Sequence, residues 1–148
     1  AVPNKHNGLT FCAGSFSAGE HNDCVAMAKQ FADRTHFVHL RSCYIFPNGN
    51  FTEASHLGGR GHLIELCRIF EKAEQEGKCN SGRRLPMRVD HGMTFTDEPG
   101  GVFDESNHGH NAGYTLLGRM FAMGQIQGVI ATVDDELGIE YKQPGFYD

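Results

Sequence analysis

The sequence predicts an α/β protein built on a parallel sheet. Short apolar segments of the strand type alternate three times with amphipathic helical segments, which is typical of strand-helix-strand units. With 148 residues, 39% of them hydrophobic, the chain is long enough for one domain with a real core. Three such units do not close a barrel, because a complete eight-unit barrel takes about 250 residues. We therefore expect residues 1–148 to form one partial domain.

The predicted elements follow in a regular order. The strands are short, apolar and bounded by Gly, Pro or polar residues, and they cover residues 8–12, 36–41 and 85–92. The helices have an apolar stripe, and they cover residues 22–34 (with Asn22 or Asp23 as N-cap), 62–76 (ended by Gly77) and 114–133. The connections are a small-residue loop at 13–19, a long loop at 44–61 with a hairpin turning at 47–50, a second long loop at 93–111 that carries His108 and His110, and a coil tail from about residue 134.

Composition excludes several classes of protein. The net charge is only -5 with acids and bases intermixed, so neither nucleic acid nor an anionic membrane is an expected partner. We expect no membrane span and no signal peptide, and hence a cytoplasmic protein. Five cysteines without a C-x-x-C pair predict reduced thiols. In the last helix, Gly124 and Gly128 predict close packing against a sheet.

Strand parity predicts a polar site. Side chains alternate between the two faces of a strand, so if the apolar pairs face the helices, Cys12, His39 with Arg41, and Asp90 all point to the other side. The carboxyl ends of adjacent parallel strands meet at one edge, where α/β proteins place their chemistry. Cys, His and Asp converging there would form a divalent-metal site, with His91 available as an acid or base.

Simpler interpretations stay open beside the metal site. A small buried Cys is commonly part of the core, and a strand His is more often hydrogen-bonded than metal-bound. Asp90 would then form an internal ion pair with Arg88 or Arg41. Solvated or capping roles are favoured for the other histidines, which are His6, His21, His36 and His62.

The chain resembles the C-terminal part of D-mannonate dehydratases through five motifs in order. They are His6-Asn7-Gly8-Leu9-Thr10-Phe11-Cys12-Ala13-Gly14-Ser15, Phe37-Val38-His39-Leu40-Arg41, Glu53-Ala54-Ser55-His56-Leu57-Gly58-Gly59, Pro86-Met87-Arg88-Val89-Asp90-His91-Gly92 and Asn111-Ala112-Gly113-Tyr114-Thr115-Leu116-Leu117-Gly118-Arg119. The resemblance implies a fold made of the C-terminal three or so βα units of a xylose-isomerase-like (β/α)8 TIM barrel. It also implies dehydration of D-mannonate to 2-dehydro-3-deoxy-D-gluconate in hexuronate breakdown.

The resemblance also implies roles for particular residues. Cys12, His39 and Asp90 match family metal ligands, and His91 and Tyr114 match residues proposed for proton transfer. Arg41 and His56 stand in matching motifs as expected substrate-binding residues. The implied metal is Mn²⁺ or Fe²⁺, although a thiolate ligand alone would favour zinc or Fe²⁺ over manganese.

Two alternatives remain at this point. The earlier half of the barrel, with its own metal-ligand His, has no counterpart in this sequence, so we expect the site to need the remaining barrel half or a homo-oligomer. The first alternative is accordingly a catalytically incomplete fragment whose exposed strand edges need a partner. The second is a related metal-dependent sugar isomerase.

Overall fold

The computed structural model describes residues 2–95 and 113–140. Its centre is a parallel sheet of β1 (Leu9–Cys12), β2 (Thr35–Leu40) and β5 (Met87–Val89), with β2 in the middle. All three predicted strands are present, the last one shorter than predicted, and both pairings are parallel as the strand-helix alternation predicted.

Three helices cover the sheet close to where the sequence predicted them. They are α2 (Cys24–Phe31), α3 (Leu63–Gln75) and α4 (Leu116–Leu137), and short 3₁₀ turns occupy Ala32–Arg34 and Asn80–Gly82. Asp23 is the N-cap of α2, since its carboxylate accepts a hydrogen bond of 2.9 Å from the Ala26 amide. Gly77 ends α3 in the left-handed region at a φ of 65°, which glycine adopts without strain.

The prediction of a loop at residues 13–19 is wrong in part. A short helix, α1 (Ala13–Ser17), follows β1 directly. Gly14 and two serines give this segment a weak helix propensity, but Ala13, Gly14 and Ser17 are buried and packing decides the local structure. The buried thiols of Cys24 and Cys43 donate to the carbonyl oxygens of Ala13 and Gly14.

The long loop at 44–61 contains the small hairpin that its Pro-Asn-Gly-Asn sequence predicted. Strands β3 (Cys43–Ile45) and β4 (Phe51–Glu53) pair antiparallel. Gly49 turns the chain between them at a φ of 84°. The hairpin lies between β2 and α3 in the chain, and two residues separate it from the carboxyl end of β2.

Helix α4 runs past its predicted end. It continues through Leu137, so the coil predicted from about residue 134 is wrong for residues 134–137. Acidic side chains are unfavourable at a helix C-terminus, but Val133 and Asp134 are buried and packing extends the helix. Gly138 then ends it at a φ of 67°. Residues 96–112, with His108 and His110, and residues 141–148 lie outside the part of the chain that the structure describes.

The packing around the glycines of α4 differs from the prediction. Among the described residues, a Cβ at Gly124 or Gly128 would meet nothing within 4 Å, so their predicted close packing against the sheet is wrong there. The close approach is at Gly118 instead, where a Cβ would overlap the carbonyl oxygen of Met93.

Apolar side chains fill the space between sheet and helices. Phe11, Val38 and Leu40 are at most 1% exposed, and the ring of Phe11 packs edge-on against Phe70 of α3 at 5.2 Å. By length and composition α4 could cross a membrane, a test that core helices of soluble proteins also pass. Its buried side packs against α3 and β5.

Candidate metal centre and active site

Three predicted ligands come together at the carboxyl ends of the parallel strands. Cys12 ends β1 and pairs in register with His39 of β2, which in turn pairs with Arg88 of β5. Asp90 follows β5 and shares the face of Arg88, two residues earlier. One ligand atom each from Cys12, His39 and Asp90 lie within 4.8 Å of one another. The sheet therefore produces the arrangement that parity predicted.

The spacing of these atoms fits one divalent cation. Asp90 Oδ2 is 3.9 Å from Cys12 Sγ and 3.9 Å from His39 Nδ1. Metal bonds of about 2.0–2.3 Å place neighbouring ligands at roughly such distances. Burial lowers the pKa of His39 more than nearby Asp90 raises it, which favours the neutral imidazole that metal binding requires. Ser15 donates a hydrogen bond of 3.2 Å to Cys12 Sγ.

The two carboxylate oxygens of Asp90 have different surroundings. While Oδ2 faces Cys12 and His39, Oδ1 accepts hydrogen bonds from Arg88 Nη2 at 2.5 Å and from the Tyr114 hydroxyl at 3.0 Å. Burial raises the pKa of Asp90, but these two donors, with the nearby histidines, lower it below its usual value. Of the ion pairs left open by the sequence, the structure contains Asp90 with Arg88. This pair is compatible with metal binding, since it leaves Oδ2 available.

His91 and Tyr114 lie side by side at the edge of the three ligands. Their rings are 4.5 Å apart between centroids. Gly113 allows this approach: its φ is 89°, and a Cβ there would lie 2.6 Å from the Cβ of His91. The Gly92 amide also donates to the Gly113 carbonyl at 2.8 Å. The two predicted proton-transfer residues can thus contact one small substrate.

Arg41 is held by a carboxylate that sequence reasoning did not assign to the site. Its Nε and Nη2 donate to the two oxygens of Glu53, at 2.9 and 2.6 Å. Glu53 Oε1 is also 3.0 Å from His91 Nδ1. Glu53 opens the third family motif, which was the one signal in the sequence that could have found it.

His56 occupies a closed environment. It is 1% exposed, and its Nε2 forms a hydrogen bond of 2.8 Å with the carbonyl oxygen of Leu40. Burial lowers the pKa of this imidazole. Gln125 of α4 accepts from the His56 amide at 3.2 Å. These contacts tie the loop after the hairpin to β2 and α4, and substrate binding by His56 or Arg41 stays a prediction.

The remaining described histidines stand apart from the three ligands. His6, His21 and His62 are exposed, in keeping with the solvated roles favoured for them, and His36 is partly buried. His62 precedes α3 in the left-handed region and its side chain makes no capping hydrogen bond.

Comparison with known proteins bears directly on this site. The profile described as D-mannonate dehydratase (UxuA) matches residues 1–139. The chain belongs to the D-mannonate dehydratase family. The resemblance based on five motifs is therefore confirmed, and the converging Cys, His and Asp lie in a member of that family.

Individual relatives show the extent of the match. Mannonate dehydratase 2 of Agrobacterium fabrum is 38% identical over 139 residues, which are 93% of this chain and 33% of that protein. The mannonate dehydratase of Saccharophagus degradans is 38% identical over 136 residues, or 90% of this chain and 33% of that protein. The chain spans about a third of the length of these curated relatives.

A solved structure agrees on the fold. The crystal structure of mannonate dehydratase from Streptococcus suis serotype 2 matches with a TM-score of 0.71 at 20% sequence identity, covering 99% of this chain and 39% of that chain. The α/β architecture with a parallel sheet is thus shared with a mannonate dehydratase.

Proposed function

We propose that this protein acts as a mannonate dehydratase and removes water from D-mannonate to give 2-dehydro-3-deoxy-D-gluconate in hexuronate breakdown. The observation that carries the proposal is the convergence of Cys12, His39 and Asp90 beside His91 and Tyr114 in a member of the family. The sugar acid has a carboxylate beside the carbon that loses its proton, so the chemistry needs a positive centre and two proton-transfer groups close together.

Cys12, His39 and Asp90 would hold Mn²⁺ or Fe²⁺. Such a cation would stabilise the negative charge that develops on the substrate carboxylate when the neighbouring carbon loses its proton. Arg88 and Tyr114 contribute by binding the other oxygen of Asp90, which orients the carboxylate towards Cys12 and His39.

His91 and Tyr114 divide the proton transfers between them. One removes the proton from C2, and the other donates a proton to the C3 hydroxyl so that it leaves as water. The C2–H electron pair forms the C2–C3 double bond as the C3–O bond breaks. The resulting enol then takes a proton at C3, loses the proton of its C2 hydroxyl and becomes the 2-keto product.

Exposed apolar side chains on α4 favour an arrangement in which further protein packs against these elements. We propose that the three strands and their helices are the later βα units of a xylose-isomerase-like (β/α)8 barrel, completed by the remaining barrel half or within a homo-oligomer. Leu116, Met120 and Met123 support this, because they form an exposed apolar stripe on α4 with exposed fractions of 72%, 55% and 43%. The five unpaired cysteines are compatible with a cytoplasmic location.

The assay is D-mannonate turnover by the natural polypeptide that contains this sequence, loaded with Mn²⁺ or with Fe²⁺ under anaerobic conditions. We expect formation of 2-dehydro-3-deoxy-D-gluconate and its loss on chelation. His91→Ala and Tyr114→Phe are each expected to lower kcat by at least about 100-fold. The exposed residues His21 and Tyr44 provide matched controls, since His21→Ala and Tyr44→Phe change the same side chains away from the site.

The proposal fails if D-mannonate is not dehydrated, or if both site variants retain the kcat of their controls. Conversion of an aldose to a ketose without loss of water would assign the site to a sugar isomerase instead.

A further inference from the structure

The hairpin after β2 places one acidic side chain next to the site. Glu53 is the last residue of β4 and pairs across the hairpin with Cys43, at the base where the hairpin leaves β2. The base of the hairpin therefore lies near the carboxyl end of β2, close to His39.

Arg41 fixes the orientation of Glu53. The guanidinium donates to both carboxylate oxygens, and the two side chains are only 12% and 9% exposed. A two-point contact of this kind restricts rotation of the carboxylate and balances its charge. Gly14 contributes space, since a Cβ there would overlap the side chain of Arg41. The carboxylate of Glu53 is thus held in one direction.

That direction points Glu53 at His91. Glu53 Oε1 is 3.0 Å from His91 Nδ1, and the imidazole is 19% exposed. The contact does not meet the geometry of a formed hydrogen bond, and Nδ1 has no hydrogen-bond partner among the residues that the structure describes. A small rotation of the ring would close the bond to the carboxylate, and catalytic hydrogen bonds often tighten in this way when substrate binds.

We propose that Glu53 is the positioning residue of His91. It accepts a hydrogen bond from Nδ1–H, which fixes the tautomer and the ring orientation and leaves Nε2 to exchange protons with the substrate. Arg41 acts one step further out by keeping Glu53 in place. The kinetic consequence of this role rests on the proposed dehydratase function, while the contact itself does not.

Two substitutions of Glu53 test its role in positioning His91. Glu53→Gln keeps the shape and removes the negative charge, and Glu53→Asp keeps the charge on a shorter side chain. Glu136 supplies a matched control, because it accepts the same two-point contact from Arg68, at 2.8 and 3.1 Å, on an exposed surface. Glu136→Gln therefore breaks an equivalent pair away from the site.

We expect Glu53→Gln to lower kcat for D-mannonate by about 10- to 100-fold, the usual effect of removing an orienting partner. Metal content should stay within about twofold of the wild type, because Glu53 is not one of the three proposed ligands. Glu53→Asp should recover part of kcat. A kcat for Glu53→Gln equal to that of Glu136→Gln would overturn the inference, and so would loss of the bound metal in Glu53→Gln.

A second measurement does not depend on activity. In ¹⁵N-histidine-labelled protein loaded with diamagnetic zinc, the nitrogen shifts recorded at a pH of about 8, above the ordinary pKa of imidazole, report the tautomer of His91. The signal is assigned with His91→Ala. We expect a protonated Nδ1 in the wild type and in Glu136→Gln, and a shift towards protonated Nε2 in Glu53→Gln. Identical tautomers in all three would overturn the inference, even if the wild type proved inactive on D-mannonate.

Discussion

Carboxylates lie at both ends of the sheet, but their surroundings shift the carboxylate pKa in opposite directions. At the carboxyl end, Asp90 is 5% exposed and has hydrogen-bond donors that lower its pKa. At the amino end, Glu71 and Asp134 line a cavity of about 660 Å³ at the start of β5. There burial raises the pKa of both, and the neighbouring carboxylates Asp134 and Glu74 help raise that of Glu71 to about 7.

The difference shows what a buried carboxylate is suited for. Asp90 stays ionised near neutral pH and has an oxygen directed towards Cys12 and His39, so it can bind a cation. Asp134 is 6% exposed and its Oδ1 has no hydrogen-bond partner among the described residues, so its charge is a cost to folding. We therefore expect substitutions at the first end to change binding and activity, and those at the second end to change stability.

The largest difference is expected between Asp90→Asn and Asp134→Asn. Loss of the Asp90 charge should abolish stoichiometric metal binding and lower turnover by more than about 100-fold, the upper range for a residue that merely orients a ligand. Asp134→Asn should retain both properties and stabilise the protein at pH 7, because it removes a buried charge whose Oδ1 has no hydrogen-bond partner among the described residues. Metal analysis, kinetics and thermal unfolding of the two variants test this. Wild-type metal content in Asp90→Asn would contradict the account.

The second-largest effect is expected on the free energy of unfolding, when the packing at the start of α4 is changed. In Gly118→Ala the new Cβ would overlap the Met93 carbonyl, and such overpacking destabilises by about 2 kcal/mol. Gly124→Ala lies in open space on the same helix and should instead stabilise by about 0.5–1 kcal/mol through helix propensity. Denaturant unfolding of both variants distinguishes these signs. Equal changes would show that α4 does not pack as described.

A smaller effect is expected from the partner of Asp90. Arg88→Met removes one of the two described side chains that donate to Asp90 Oδ1, so Asp90 should bind its cation about 10-fold more weakly while the protein stays folded. Arg68→Met, which breaks the exposed pair with Glu136, is the control. Metal titration measures both. Affinity unchanged in Arg88→Met would show that this arginine does not support the ligand.

The smallest effect is a pH dependence at the amino end. Below the ordinary pKa of 4.5, Glu71 is protonated in both the folded and the unfolded protein. Between pH 4.5 and about 7 the unfolded chain loses this proton while the folded one keeps it, so the free energy of unfolding falls as pH rises. Glu71 is partly exposed and therefore screened, so the loss should be about 1 kcal/mol.

Glu71→Gln isolates this contribution. The stability of the variant relative to the wild type should increase from pH 4.5 to 7, as measured by denaturant unfolding across that range. A relative stability independent of pH would contradict the raised pKa of Glu71.

Sequence patterns could predict the ligands because successive side chains of a strand point strictly to opposite faces of the sheet. Once Val38 and Leu40 are assigned to the core, His39 must face the other way, and the same reasoning orients Cys12 and Asp90. The extent of α2 and α3 followed from Asp23 and Gly77, whose preferences are local.

Other features depend on contacts that no local pattern shows. Helix α1 forms because its small residues are buried, and α4 passes its acidic end because Val133 packs against the core. Glu53 and His91 are 38 positions apart in the sequence, and the hairpin brings them into contact. Which glycine of α4 allows a close approach likewise depends on the position of Met93.

Cobalt substitution tests the central claim most directly, namely that Cys12, His39 and Asp90 bind one divalent cation. A cysteine thiolate on Co²⁺ produces a ligand-to-metal charge-transfer absorption that oxygen and nitrogen ligands do not. We predict one cobalt ion per chain with this absorption, and its loss in Cys12→Ser but not in Cys24→Ser, whose thiol is buried among core residues. Absence of bound cobalt, or the same absorption in Cys12→Ser, would contradict the claim.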